Sequence, residues 1–130
     1  MKNRNVKTGK LGEKAASNFL KKKKYKILKR NFRTRFGEID IVCQTRKVRF
    51  FPLVFVEVKT KTGDRFGEPW EMIDKRKIEQ VKKMAQIYLT EKDLNETACR
   101  VDVVGVWLKE GTEEVEKIEH WEDVQITNYK

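Results

Sequence analysis

The stretch Leu53 to Lys59 (LVFVEVK) constrains this chain most, because it is too apolar for anything but a central strand and yet carries an acid and a lysine. The whole run Val48 to Lys61 reads as that strand. Side chains alternate across a sheet, so Val54, Val56 and Val58 belong to one face and Glu57 and Lys59 to the other. A charge in such a strand is costly unless it is paired, metal-bound or open to a cleft. A second strand, Gly37 to Cys43, carries Glu38 and Asp40 on one face. If the two strands form a hairpin turning near Lys47 to Arg49, Asp40 falls opposite Glu57. Three carboxylates and a lysine then share one patch, a local conflict expected at functional sites.

Around these strands the periodicity predicts a helix from Thr8, its cap, to about Lys23, with Leu11, Ala15, Ala16, Phe19 and Leu20 on its apolar face. Tyr25, Ile27 and Leu28 to Phe32 read as a first strand. A loop with Gly63, Gly67 and Pro69 spans Thr62 to Trp70, and a second helix runs from about Glu71 to Thr90. Cys99 to Leu108 and Val115 to about Trp121 follow as strands joined by a turn at Glu110 and Gly111. The order α-β-β-β-α-β-β predicts an α/β fold, a mixed five-stranded sheet flanked by two helices. With 130 residues and no linker or repeat, the chain is expected to form one domain, its core within about residues 25–121.

Charge points to the partner. The net charge is +10, and residues 1–35 hold fourteen Lys and Arg against one acid, Glu13. Such a one-sided excess suits a polyanion. Lys10, Lys14, Arg33, Arg35, Lys61 and Lys77 are the expected contacts to nucleic acid. No apolar stretch approaches a membrane span or a secretory signal, so a cytoplasmic location is expected. Cys43 and Cys99, in apolar runs without CxxC spacing, read as reduced core residues.

The acidic patch suits phosphodiester hydrolysis. Asp40, Glu57 and the Val58 carbonyl would give hard oxygen ligands to Mg²⁺ or Mn²⁺, Glu13 would complete the shell, and Lys59 would orient water or stabilise charge on phosphorus. The same side chains also fit a salt-bridge ladder, and Glu38 fits equally as a partner for Lys or Arg. Asp102 reads more readily as a partner of Arg100 than as part of the site. The single histidine, His120, excludes a His-rich metal centre, and the absence of GxxxxGK removes the usual nucleotide-hydrolase route. Trp70, Trp107 and Trp121 read as packing residues, leaving Phe66 as the candidate for contacting an unpaired base.

Gly12-Glu13 before an alanine-rich helix, YKILKRN at 25–31, Gly37-Glu38-Ile39-Asp40, VFVEVK at 54–59, Phe66-Gly67, Lys77, Tyr88-Leu89 and Arg100 to Val104 together resemble the YraN family of bacterial proteins. That family is similar to the restriction-endonuclease-like superfamily, archaeal Holliday junction resolvases included, whose signature is Asp, a gap, then (Asp/Glu)-x-Lys. The resemblance implies a restriction-endonuclease-like core, with Asp40 as first acid, Glu57-Val58-Lys59 as the remainder and Glu13 as the helix acid. It also implies a metal-dependent endonuclease, DNA ahead of RNA as substrate, and a homodimer. Ile39 replaces the usual proline, and the ending His120-Trp121-Glu122-Asp123 departs from the family pattern. The alternatives are a non-catalytic nucleic-acid-binding module on the same fold, or an RNA-associated basic protein without metal.

Overall fold

The computed structural model describes residues 2–45, 53–63 and 72–124. In chain order the elements are α1 (Lys2–Lys22), β1 (Tyr25–Thr34), β2 (Gly37–Thr45), β3 (Leu53–Thr62), α2 (Lys75–Glu91), β4 (Cys99–Leu108) and β5 (Val115–Trp121). The sheet order is β1-β2-β3-β4-β5. Only the β3–β4 pair is parallel, and it needs the crossover that α2 provides. The expected mixed α/β layout is therefore observed. The start of the third strand at Val48, the Lys47–Arg49 turn, Phe66 and Trp70 lie outside the described residues.

Both faces of the sheet are covered. Phe32, Ile39, Val42, Phe55 and Val103 pack with Ile78, Val81 and Met84 of α2. On the other face Ile41, Cys43, Val54, Val56, Val104 and Val106 pack with Ala16 and Leu20 of α1. Phe55 and Val56, adjacent in β3, are each fully buried in opposite layers. Each such side chain contributes about 1.5–3 kcal/mol of transfer free energy, which is why β3 is central. None of the described helices is long and apolar enough to cross a membrane.

Three expectations are corrected. The first helix starts at Lys2, so Thr8 is interior to it and not a cap. The second helix starts at Lys75 instead of near Glu71, because the Asp74 side chain accepts the Arg76 and Lys77 N–H groups at 2.9 and 3.4 Å and caps it there. Cys99 is exposed, being the first residue of β4 at the end of the sheet, whereas Cys43 is buried and its thiol is pushed up to about 12 by that burial.

Asp102 anchors a separate polar knot beneath α1. Its buried carboxylate accepts from Arg100 Nε at 3.0 Å and from the Asp123 N–H at 2.9 Å, and contacts His120 Nε2 at 2.8 Å. The Lys23 ammonium lies 2.8 Å from His120 Nδ1 and can only donate, so Nε2 carries the hydrogen given to Asp102. Arg100 also reaches the Tyr25 hydroxyl (2.7 Å) and Glu122 (3.0 Å). The divergent C-terminal segment thus fastens β5 and the end of α1 to β4.

Candidate active site

Strand alternation breaks at one place in β2. Ile39 packs in the α2-side layer and Ile41, two residues on, in the α1-side layer, although such neighbours should share a face. The backbone therefore rotates at Asp40. Pairing between β2 and β3 also stops here, its last pair being Ile41 with Val56. Beyond that pair the Asp40 side chain replaces the ladder, Oδ2 accepting the Val58 N–H at 2.8 Å. Across β1 the residue facing Asp40 is Asn31, held at a φ of 54°, a conformation asparagine tolerates better than most residues.

Glu57 follows the last residue of β3 that pairs with β2 and is only 7% exposed. Its carboxyl lies near enough to that of Asp40 for each to act on the other's charge. Burial, then the Glu57 charge, raises Asp40 to about 8 against the pull of the Val58 N–H. Burial raises Glu57 as well, even though Asp40, Lys77 and Lys59 favour its charged form. Burial thus disfavours charge on both carboxyls, and the Glu57 charge adds to that at Asp40.

Glu13 reaches the same place from α1. Gly12 makes that possible, since a β-carbon on it would overlap Thr60 Oγ1 and stand 2.9 Å from Thr60 Cβ. Burial and the nearby Asp40 and Glu38 charges raise Glu13, while Arg30 and a hydrogen bond from Asn31 oppose them. One carboxylate oxygen from each of Glu13, Glu38 and Asp40 lies within 4.8 Å of the others. Glu38 is also ion-paired with Arg33 at 2.8 Å, so both readings of this acid hold together.

Of the sequence-expected acids, Glu13 and Asp40 are thus gathered together with Glu38, while Glu57 stands outside that group and acts on Asp40 through its charge, with Lys59 half-buried beside Glu57. Lys77 joins them electrostatically, and Lys75, Arg76 and Lys77 form a first turn of α2 with no acid in it. Cations there oppose the helix dipole, an arrangement that favours a bound anion over the helix itself. Lys10 and Lys14 are exposed on α1, and Lys61 lies on β3 two residues past Lys59. Arg33 is committed to Glu38, and Arg35 lies over the ring of Phe36. Asp102 is not part of the site. Asn31 and Phe36 were missed by sequence reasoning. Phe36 carried a readable signal, an aromatic beside a turn glycine and just after two arginines.

Comparison with known proteins was informative for the family. The model of "Uncharacterised protein family UPF0102" matches residues 12–106. A UPF0102 protein of Caldanaerobacter subterraneus subsp. tengcongensis is 40% identical over 121 residues, covering 92% of this chain and 96% of the relative. One of Syntrophomonas wolfei is 41% identical over 114 residues (88% and 96%), and one of Moorella thermoacetica is 42% identical over 100 (77% and 80%). Among solved structures, Pyrococcus furiosus SfsA in complex with Ca²⁺ aligns with 75% of this chain and 54% of its own at 15% identity. Its TM-score of 0.31 is too low to support an argument.

Proposed function

The chain belongs to the UPF0102 (YraN) family, and from that premise we propose that it is a metal-dependent phosphodiesterase acting on nucleic acid, with DNA as the favoured substrate. One observation carries the reading: a half-buried acid, Asp40, and a buried one, Glu57, come close enough for their charges to interact at the point where the β2–β3 ladder ends. A structural ion pair would have put a cation between them. Here two acids face each other, with Glu13 and Glu38 close behind.

The donor set suits a hard divalent cation, because it consists of carboxylate oxygens. Asp40 and Glu57 would hold Mg²⁺ or Mn²⁺, with Glu13 assisting. Val58 adds its carbonyl, since a strand residue's N–H and C=O leave the same edge and the Val58 N–H faces Asp40. When bound, the cation polarises the phosphoryl group and acidifies water.

The other roles fall to the chain's own side chains. Lys59 orients the attacking water or stabilises charge on phosphorus, held beside Glu57 on the same strand face. Lys77 and the first turn of α2 draw in the phosphate backbone, and the basic surface of α1 extends that attraction. The resolvase-like resemblance and the cytoplasmic location expected from sequence belong to the same reading.

The test is cleavage of labelled duplex, single-stranded, flap and four-way junction DNA, and RNA, with Mg²⁺ or Mn²⁺. Cleavage by wild type that is lost in Asp40→Asn and Lys59→Ala, with binding retained, supports the enzyme. Binding without metal-dependent cleavage on any substrate leaves a non-catalytic binding module.

A further inference from the structure

The tip of the β1–β2 hairpin presents an aromatic ring that the hydrophobic layers do not use. Phe36 is 60% exposed, the most exposed large hydrophobic residue among those described. Its backbone is nevertheless held firmly: its N–H donates to Thr34 Oγ1 at 3.0 Å, and its carbonyl accepts from Gln80 Nε2 of α2 at 3.3 Å. The next residue, Gly37, has a φ of 150° and lies so close to Gln80 that a β-carbon would stand 2.8 Å from Nε2. Hairpin tip and helix are therefore docked together, and the ring's base is fixed before any partner arrives.

Phe36 lines one wall of a groove of about 770 Å³ whose other wall is α2, with Arg76, Lys77, Lys83 and Ile87 along it. That volume falls within the range of sites that enclose nucleotide-sized ligands. Asp74 and Glu79 offset part of this charge and leave the groove one cation in excess, with the Asp74 carboxylate turned to the Arg76 and Lys77 N–H groups at the start of the helix. The Arg35 guanidinium stands over the Phe36 ring, 4.8 Å from its centroid. Lys77 lines the groove and is also near enough to the carboxyl site for its charge to act on Glu57.

We propose that this groove binds a single-stranded stretch of DNA, with Phe36 stacking on an unpaired base and Arg76, Lys77 and Lys83 holding the flanking phosphates. The inference rests on the phosphodiesterase reading and narrows it to strands with unpaired nucleotides. Faces of bases inside a duplex are already stacked, so a fixed exposed ring among cations selects the unpaired form. An apolar wedge into duplex DNA would use the same ring differently and would weaken duplex binding when removed.

The experiment measures binding of the full chain, in chelator so that cleavage does not intervene, to single-stranded and duplex oligonucleotides carrying a purine analogue whose fluorescence is quenched by stacking. Wild type, Phe36→Leu and Phe36→Trp are compared. Phe36 is exposed, and thermal melting verifies that both variants fold. The expected result is a loss of single-strand affinity of about tenfold in Phe36→Leu, with loss of analogue quenching, recovery of both in Phe36→Trp, and no matching loss on duplex. Equal losses on both substrates, no loss on either, or no single-strand binding by wild type overturns the proposal. Cleavage with Mn²⁺ on the same oligonucleotides separates the two readings. Selective loss of binding without any cleavage leaves the groove standing and removes the enzyme, whereas cleavage indifferent to Phe36 does the reverse.

Discussion

Asp40 Oδ2 accepts the Val58 N–H at 2.8 Å, one residue beyond the last backbone pair of β2 and β3. A side chain thereby stands where a carbonyl would continue the ladder, and the carboxylate is placed by the same bond that ends the pairing. Asn keeps an acceptor for that N–H while losing the charge. Asp40→Asn is therefore expected to fold and to bind nucleic acid at least as well as wild type, and to lose cleavage by about a hundredfold or more. Parallel filter-binding and cleavage assays check both halves.

Metal-free stability should move with pH in a direction set by the same residue. Asp40 is raised from 3.8 to about 8, so the folded protein binds a proton that the unfolded chain has released. Stability should then fall as pH rises from about 4 to about 8, and Asp40→Asn should flatten the slope. Melting temperatures measured across that range in chelator test this. Adding Mg²⁺ or Mn²⁺ at neutral pH should raise the wild-type melting temperature by several degrees and leave that of Asp40→Asn unchanged.

Asp102 behaves in the opposite sense. Burial opposes its charge, but hydrogen bonds from His120, Arg100 and the Asp123 N–H outweigh burial and hold it below the usual carboxylate range. Its contribution is therefore present above about pH 4 and is lost on acidification through its folded value. Asp102→Ala leaves Arg100 only its half-exposed partner Glu122, strips His120 and the Asp123 N–H of their buried acceptor, and should cost on the order of 3 kcal/mol, with cleavage per folded molecule unchanged. Urea denaturation together with activity at low temperature distinguishes this from a catalytic role.

Gly12→Ala tests how α1 delivers Glu13. The added methyl meets Thr60, so the helix must lift from β3, at about 1–3 kcal/mol, and Glu13 moves with it. Cleavage should drop more than binding does. Thr60→Ala in the same chain removes the Oγ1 overlap and should recover part of both losses.

Legibility in the sequence followed the strength of local signals. Cys99–Leu108 and Val115–Trp121 were readable to the residue because apolar runs ended at a turn around Gly111, whose φ is 76°. The start of α1 was not, since nothing in residues 2–7 breaks a helix and no apolar stripe marks them. For α2 the cap at Asp74 was visible, but the apolar spacing from Ile73 onward pulled the boundary early. The site acids were legible because charges inside LVFVEVK demand a reason. The rotation that turns Asp40 to the strand edge was not, because it depends on which layer Ile39 and Ile41 each enter. The aromatic read from sequence for base contact, Phe66, lies outside the described residues, while Phe36 carried only the weaker cue of an aromatic between Arg35 and a turn glycine.

Ile39 and Ile41 are gripped by different halves of the molecule, with a single residue between them. Asp40 is thus a swivel clamped at both ends. A methyl removed beneath α1 and one removed beneath α2 reach the carboxylate through the same two backbone torsions. Substitutions far apart in the interior should then converge on one angle, the one that aims the Asp40 carboxyl.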